Sequence, residues 1–518
     1  MRRFLISLLI AFPWLNPYAP GPSPTVGPWL ITLACFAVLM ALVVNNQSNL
    51  FSTNSTNGNL AHAYLQPTAL AWLAAGLISA VIGLLQYFGI AGVFGPWVNQ
   101  SSSGEAFANL RQRNQFASLT NMALAALLWL AVQVRSRETA VKYGHIGLLF
   151  AAAILLAVGN AISSSRTGLF QLLLLCGLYA LWGGLRSSTT RRLLVCAVLT
   201  YGVAMFAMPY LAGLDGASYG AFARLGKDDA CSSRLVLWSN VIHLIAQKPW
   251  LGWGWGELDF AHFITQYNGP RFCDILDNAH NLPLHLAVEL GVPLALLVCG
   301  GFAWWVLRQK PWAERDATRQ MAWTVMAVIL LHSMLEYPLW YGPFQIAFVL
   351  CPVILWRRQA AAVNDKKAAN NVQNVPLAQV NSAQVDIITI ASTAVIAAIL
   401  YAAWDYHRVS QIYLQPEARH AAYQIDTLAQ ARKSWLFADQ ALFAELILTP
   451  LTPETALQVY ASAGYLLHYS PEPRVVEKLV ESAVMLGKDA EALAYLARFK
   501  AAFPKEHAAW AKSNSNAL

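Results

Sequence analysis

Apolar runs of roughly membrane length recur along the chain, at Phe4–Leu15, Trp29–Val44, Pro67–Ile90, Asn114–Val134, Gly144–Ile162, Thr167–Leu185, Leu193–Leu211, His285–Leu307, Gln320–Tyr337, Pro343–Trp356 and Ile387–Trp404. A bilayer core accepts about 20 apolar residues per helix, and backbone groups in lipid must pair within their own segment or a closed barrel. The runs are too long for barrel strands, so the pattern predicts an all-α, polytopic bundle of about eleven spans. Composition agrees, with 57% hydrophobic and 12% charged residues, where soluble domains carry about 25% charged. The net charge of +8 comes from basic residues dispersed between the runs. That distribution fits loop topology and excludes a nucleic-acid-binding patch. The first run follows Arg2 and Arg3 and resembles a signal peptide, but only prolines follow it, so it is read as an uncleaved span.

Orientation follows from the basic residues. With the amino terminus inside, sixteen Lys and Arg fall on inside segments, from Arg2 and Arg3 to Lys366 and Lys367. The short outside loops hold Arg111, Arg113 and Arg166. The excess of positive charge on one side predicts a membrane protein with its amino terminus inside and the long loop outside; the resemblance described below implies that the membrane is the bacterial inner membrane and the outside the periplasm. Residues 1–356 form the membrane domain, interrupted by a long outside loop at 212–284. A polar segment at 357–386 reads as a flexible cytoplasmic linker, and 387–404 is the last span. The remainder, 405–518, shows helical periodicity in Trp435–Leu448, Ala456–Leu467, Val475–Leu486 and Ala490–Phe503, punctuated by prolines. Pro471 to Pro504 has the length of one tetratricopeptide unit, so a periplasmic helical-hairpin domain is expected there.

Cys231 and Cys273 are the cysteines outside predicted spans, and both fall in the long loop. In an oxidising compartment they are expected to form a disulfide; the lack of Cys or His neighbours at ligand spacing argues against a metal site. The same loop carries Arg234, at the start of an amphipathic run to Gln247 whose apolar face reads as Leu235, Trp238, Val241, Ile242 and Ile245. Such a run suits the bilayer surface. It also carries Asp277, His280 and Asn281. Elsewhere, Arg111-Gln112-Arg113-Asn114-Gln115 enters the fourth span and Ser163-Ser164-Ser165-Arg166 forms a tight turn. His332 and Glu336 are placed on one face of a helix, ahead of Tyr341.

The topology sends all of these groups to one side. Arginines at an outer leaflet suit a lipid-linked diphosphate, because guanidinium is permanently charged and binds phosphate through a planar fork. Fixed cations also stabilise the charge that builds on a departing diphosphate. His280, Asp277 or Glu336 could take the proton of an incoming hydroxyl. Plainer readings stand beside these. Arg166 could be a snorkelling anchor, Arg234 the solvated edge of an interfacial helix, and His280 a helix cap. The Lys248–Gly256 Trp/Gly stretch reads as an interfacial belt or as faces for sugar rings.

Arg166 in Ser-Ser-Arg-Thr-Gly, Arg234 with Lys248–Gly256, and Asp277–Asn281 followed by Glu289-Leu290-Gly291 resemble the bacterial O-antigen ligase superfamily over roughly Gly104 to Leu355. The ligase pattern of His-Asn, nine residues and Gly is met by His280, Asn281 and Gly291, with Leu294 where ligases often carry a small or hydroxyl residue. Arg113-Asn114-Gln115, His332–Trp340 and the helical carboxyl-terminal extension look more like the PglL-type protein O-oligosaccharyltransferases. That resemblance implies an undecaprenyl-diphosphate oligosaccharide as donor and a Ser or Thr hydroxyl of a periplasmic protein, such as a pilin, as acceptor. It implies no cofactor and no metal. Arg166 and Arg234 would hold the diphosphate and His280 would orient or activate the hydroxyl, with Arg111, Arg113, Gln115, Asp277, Asn281, Glu336 and Tyr341 as further donor- or acceptor-binding groups. The alternatives are an O-antigen ligase or polymerase. A transporter of the same lipid is disfavoured, since the charges gather at span ends rather than at mid-span.

Overall fold

A computed structural model describes residues 1–19, 21–50, 58–135, 142–214, 231, 233–370 and 382–515. No strand occurs among the described residues. The helices are α1 (Arg2–Leu15), α2 (Val26–Leu50), α3 (Gly58–Tyr87), α4 (Arg113–Arg135), α5 (Lys142–Ile162), α6 (Arg166–Leu181) and α7 (Ser188–Leu211). Next come α8 (Arg234–Gln247), α9 (Leu258–Ile264), α10 (Leu282–Leu290), α11 (Val292–Gln309), α12 (Ala317–Ser333), α13 (Gly342–Asn370) and α14 (Ser382–Ser410). The last are α15 (Thr427–Ala431), α16 (Ala438–Leu448), α17 (Ala456–Leu466), α18 (Pro473–Met485), α19 (Asp489–Ala502) and α20 (Pro504–Ser515).

Among the described residues, four stretches are long and apolar enough to cross a membrane: Leu65–Tyr87, Arg113–Gln133, Ser188–Leu211 and Val292–Ala313. Shorter apolar helices cover Val26–Leu42, Ile146–Ile162, Arg166–Leu181 and Gly342–Trp356. The chain is a multi-pass membrane protein. Helix α13 runs on to Asn370, so the first part of the segment read as a flexible linker is helical, while 371–381 lie outside the described residues.

Two compact units divide the chain. One comprises Met1–Ala19, Pro24–Lys227 and Leu307–Leu400; the other comprises Pro20–Ser23, Asp228–Val306 and Tyr401–Leu518. In the first, α4 contacts α3, α5, α6 and α12. A helix with neighbours on several sides buries most of its surface: Phe116, Leu119, Met122, Leu127 and Leu128 of α4 are all buried, and so are its polar Gln115, Ser118, Thr120 and Asn121.

In the second unit the predicted span His285–Leu307 does not form one helix. It breaks at Gly291, which lies at φ +86° between α10 and α11. The Trp/Gly stretch causes the break by crossing over it: Trp253 N–H donates to the Val288 carbonyl (2.8 Å), Gly254 N–H to Glu289 (3.0 Å) and Val292 N–H to Pro249 (2.8 Å). Gly252, at φ +71°, is the matching position. A Cβ there would fall 2.3 Å from the Glu289 carbonyl oxygen, and one on Gly291 would fall 2.1 Å from that of Trp250. Only glycine meets both the backbone angle and the approach. Gly291→Ala is therefore expected to destabilise the protein by about 2–4 kcal/mol. Gly300→Ala, which meets nothing within 4 Å, serves as control in the same thermal melt. Equal melting of the two variants would contradict the account.

The helices from 405 onward share their core with the loop. Phe263 of α9 is buried among Phe443, Leu466, Val476, Leu479 and Phe499. This shared core is not legible in the sequence, because α9 is only seven residues long and carries Asp259 and His262.

Candidate functional site

Three of the predicted arginines share a local setting: Arg113 opens α4, Arg166 opens α6 and Arg234 opens α8. The serines before the last two are N-caps, with Ser165 accepting from Gly168 N–H and Ser233 from Val236 N–H. A cation in the first turn opposes the helix dipole at a cost of about 0.3–1 kcal/mol, and none of these three helices has an acidic residue in its first turn. Stability alone would not place guanidinium groups there. A helix N-terminus with unpaired N–H groups is, however, suited to an anion, and an adjacent arginine adds a second set of donors.

Within the first unit, Asn114 joins the predicted residues. Its Oδ1 accepts from Ser165 Oγ (2.6 Å) and its Nδ2 donates to Glu336 Oε1 (3.3 Å). Arg166 is exposed beside that cap. Beneath it, Ser118 Oγ donates to the Asn114 carbonyl (2.8 Å), accepts from Gln171 Nε2 (2.7 Å) and lies 2.9 Å from His332 Nδ1. Gly168 lets α6 approach this network, since a Cβ there would sit 2.3 Å from Asn160 Oδ1. Helix α12 ends at Ser333, so Glu336 lies in the following turn, its N–H on the His332 carbonyl, and not on a shared helical face. Tyr341 precedes α13 and stacks on Tyr337 at 6.0 Å. Gln115 is buried. Arg111, at φ +60°, is turned to the Pro17 carbonyl and to Asn99 Oδ1, which ties together the loops of this unit.

In the second unit, α8 is stitched to the segment that carries His280. Cys231 and Cys273 form a disulfide with a Cα–Cα separation of 5.4 Å. Asn240, buried, donates to the Pro270 carbonyl (3.0 Å) and accepts from Phe272 N–H (2.8 Å). Trp238 Nε1 donates to the Ala279 carbonyl (3.1 Å). The buried face of α8 is Leu237, Val241 and Leu244, while Leu235 and Ile242 are 78% and 55% exposed. The packing face is thus rotated from the one read in the sequence, because the loop supplies a core of its own, with Leu258, Phe272, Leu276 and Val288. His280 adopts φ +50°, a left-handed conformation unusual for a residue with a Cβ. Its N–H donates to Asn278 Oδ1 (2.9 Å). Asn281, not His280, caps α10 by accepting from Leu284 N–H. Asp277 is exposed.

Partly buried Asp259 and buried His262 are among the groups of this unit whose protonation is shifted. Burial, then the fields of Asp277 and Glu257, push Asp259 up to about 7 against the pull of the Phe260 N–H. Burial, then the Arg271 guanidinium, push His262 down to about 3. The Phe272 carbonyl can only accept, so His262 Nε2 carries the proton (3.2 Å) and Nδ1 receives the Tyr267 hydroxyl (2.8 Å). As pH falls below the ordinary histidine value, the unfolded chain takes up a proton that the folded chain refuses. Stability is then lost by about 1.4 kcal/mol per pH unit toward pH 3. Asp259 works the other way, losing stability as pH rises from the usual carboxylate range through about 7. The histidine share is isolated by His262→Gln, which is expected to lose less stability than the wild-type chain on going from neutral pH to about pH 4. Parallel losses would show that His262 is not the acid-sensitive group.

Sequence reasoning assigned no hydrogen-bonding role to Asn114, Ser118, Trp238, Asn240 or His262, although Trp238 is read there as part of an apolar face and Asn114 lies in a quoted motif. A signal existed for the first two, since Asn114, Ser118 and Asn121 recur at helical spacing on a buried span.

Three family models match parts of the chain. Residues 150–299 match a model described as O-antigen ligase, 106–131 match one for a protein glycosylation ligase, and 320–517 match the C-terminal part of a virulence factor membrane-bound polymerase. Two relatives come from Acinetobacter baylyi. A general O-oligosaccharyltransferase is 23% identical over 406 residues, covering 66% of this chain and 68% of the relative. A ComP-specific O-oligosaccharyltransferase is 24% identical over 251 residues, covering 48% of this chain and 43% of the relative, less than half its length. No solved structure matches.

Proposed function

We propose, on the premise that this chain belongs to the O-antigen ligase superfamily and to its PglL-type branch, that it is a glycosyltransferase of O-linked protein glycosylation. It moves an oligosaccharide from an undecaprenyl-diphosphate donor to Ser or Thr hydroxyls of periplasmic proteins, pilins among them. The observation that carries the reading is the set of arginines at helix starts, where each guanidinium stands in the first turn, at the positive end of the helix dipole, as an anion site needs.

The step balances simply. The acceptor hydroxyl oxygen attacks the anomeric carbon, the bond from that carbon to the diphosphate oxygen breaks, and the lipid diphosphate leaves with the electron pair. Arg166 and Arg234 are assigned to the diphosphate, whose growing charge they stabilise. His280 is assigned the hydroxyl proton, and Asp277 and Glu336 are assigned to donor or acceptor binding. Arg113, Gln115, Asn281 and Tyr341 are assigned to donor or acceptor contacts. Arg111, turned to Pro17 and Asn99, is more a brace for its loop than a ligand.

We place about eleven spans in the bacterial inner membrane, with 212–284 and 405–518 periplasmic and 357–386 cytoplasmic. A periplasm-dependent reporter fused after Gly269 or Leu518 is expected to be active and one after Lys367 silent. The reverse would invert the topology. The match of 150–299 to an O-antigen ligase model favours transfer to the lipid A core as the second reading. Mass spectrometry of secreted and pilus proteins, beside lipopolysaccharide gels, with and without the gene, separates the two. Loss of glycopeptides supports protein transfer, and loss of the polysaccharide ladder supports ligation.

A further inference from the structure

Ala279, the residue before His280, is held at both of its backbone polar groups by side chains from two different helices. Its carbonyl receives Nε1–H of Trp238 from α8 at 3.1 Å, and its N–H donates to Nδ1 of His285 from α10 at 3.5 Å. Ala279 is fully buried, so neither group has water as a substitute partner. Trp238 stands four residues after Arg234, one turn along the same helix. The strained φ of His280 persists only if its surroundings hold it, and this clamp on the preceding residue supports it together with the bond from His280 N–H to Asn278 Oδ1.

The clamp also fixes a proton. A backbone N–H can only donate, so His285 Nδ1 must be unprotonated and Nε2 carries the hydrogen, toward Glu289 Oε2 at 3.4 Å. The Glu289 carboxyl in turn accepts the backbone N–H of Gly256. His285 and Glu289 are both buried, at 2% and 1% exposure. The titratable groups that act on the clamp are Glu289, Glu257 and His280.

We infer that Trp238 and His285 are positioning residues that fix His280 in register with the Arg234 helix by clamping the two backbone groups of Ala279. The inference rests on the role of His280 proposed above. Neither residue touches the reacting atoms in this account; each acts through the turn.

The test uses the full-length protein in cells lacking the native gene, with glycosylated acceptor measured by intact-protein mass spectrometry per amount of folded enzyme. Trp238→Phe keeps the ring and deletes one donor. His285→Leu deletes the acceptor, whereas His285→Gln restores one through Oε1. Misplacement of a reacting group by about 1 Å can cost roughly 100-fold, so Trp238→Phe and His285→Leu are expected to slow transfer by about 10- to 100-fold, with His285→Gln retaining most activity. Binding of undecaprenyl diphosphate to the purified protein is expected to be unchanged. Two results would overturn the inference: transfer per folded enzyme at the wild-type level in both variants while His280→Ala is inactive, or His285→Gln no better than His285→Leu. Full activity in His280→Ala would instead remove the role of His280, and the inference with it.

Discussion

Arg234→Lys is expected to lower glycan transfer by about 10²- to 10³-fold, the range seen when one donor to a developing anion is removed, while the protein stays folded. Lysine keeps the charge but not the planar fork that meets two phosphate oxygens at once. Arg166→Lys is expected to behave in the same way. The stability side makes the test sharp. Both arginines open helices whose caps are serine side chains, Ser233 and Ser165, and not the guanidinium groups. A thermal melt of each lysine variant beside the wild type therefore separates loss of transfer from loss of fold, since the serine caps remain in place. Near wild-type transfer by Arg234→Lys at normal expression would remove the phosphate role.

The helices were legible because lipid leaves little choice: an apolar run flanked by charge must pair its own backbone. The break at Gly291 was not, since glycine is common inside membrane helices. What breaks this helix is a strand of backbone from Lys248–Gly256, forty residues earlier in places, laid across it. The face of α8 was misread for a related reason. Leu235 and Ile242 are as apolar as Leu237 and Val241, and only the partners contributed by Leu258, Phe272 and Val288 decide which side is buried. Among site residues, those recognisable by type, such as Arg166 and His280, stood out in the sequence. Those that act through hydrogen bonds to backbone, such as Trp238 and Asn240, did not, because their partners are thirty to forty residues away. Asn114 lay inside a quoted motif, yet its bridge from Ser165 to Glu336 joins three segments that no local spacing relates.

Phe263→Ala is expected to cost about 3–5 kcal/mol, the usual loss for truncating a buried phenylalanine, and to abolish transfer by loosening the loop and the carboxyl-terminal helices together. Phe263 is 2% exposed and stacks on Phe503 at 6.4 Å. Around it, Arg498 Nε donates to the Ile264 carbonyl (3.0 Å), His468 Nδ1 meets Glu257 Oε2 (2.7 Å), and Phe260 stacks on His468 at 3.7 Å. Removing the ring deletes the common filling of both segments, so neither can keep its packing alone. The loss should spread to the α8 turn, because α9 also packs on α8 through Leu258 and Ala261. Phe263→Leu, which conserves most of the volume, should fall between the two. Limited proteolysis supplies the measurement: in Phe263→Ala, sites in 233–290 and in 438–503 should open at the same denaturant concentration. Cleavage confined to the carboxyl-terminal helices, with transfer intact, would mean that those helices only decorate the loop. Simultaneous opening with loss of transfer would make them part of the scaffold that holds His280.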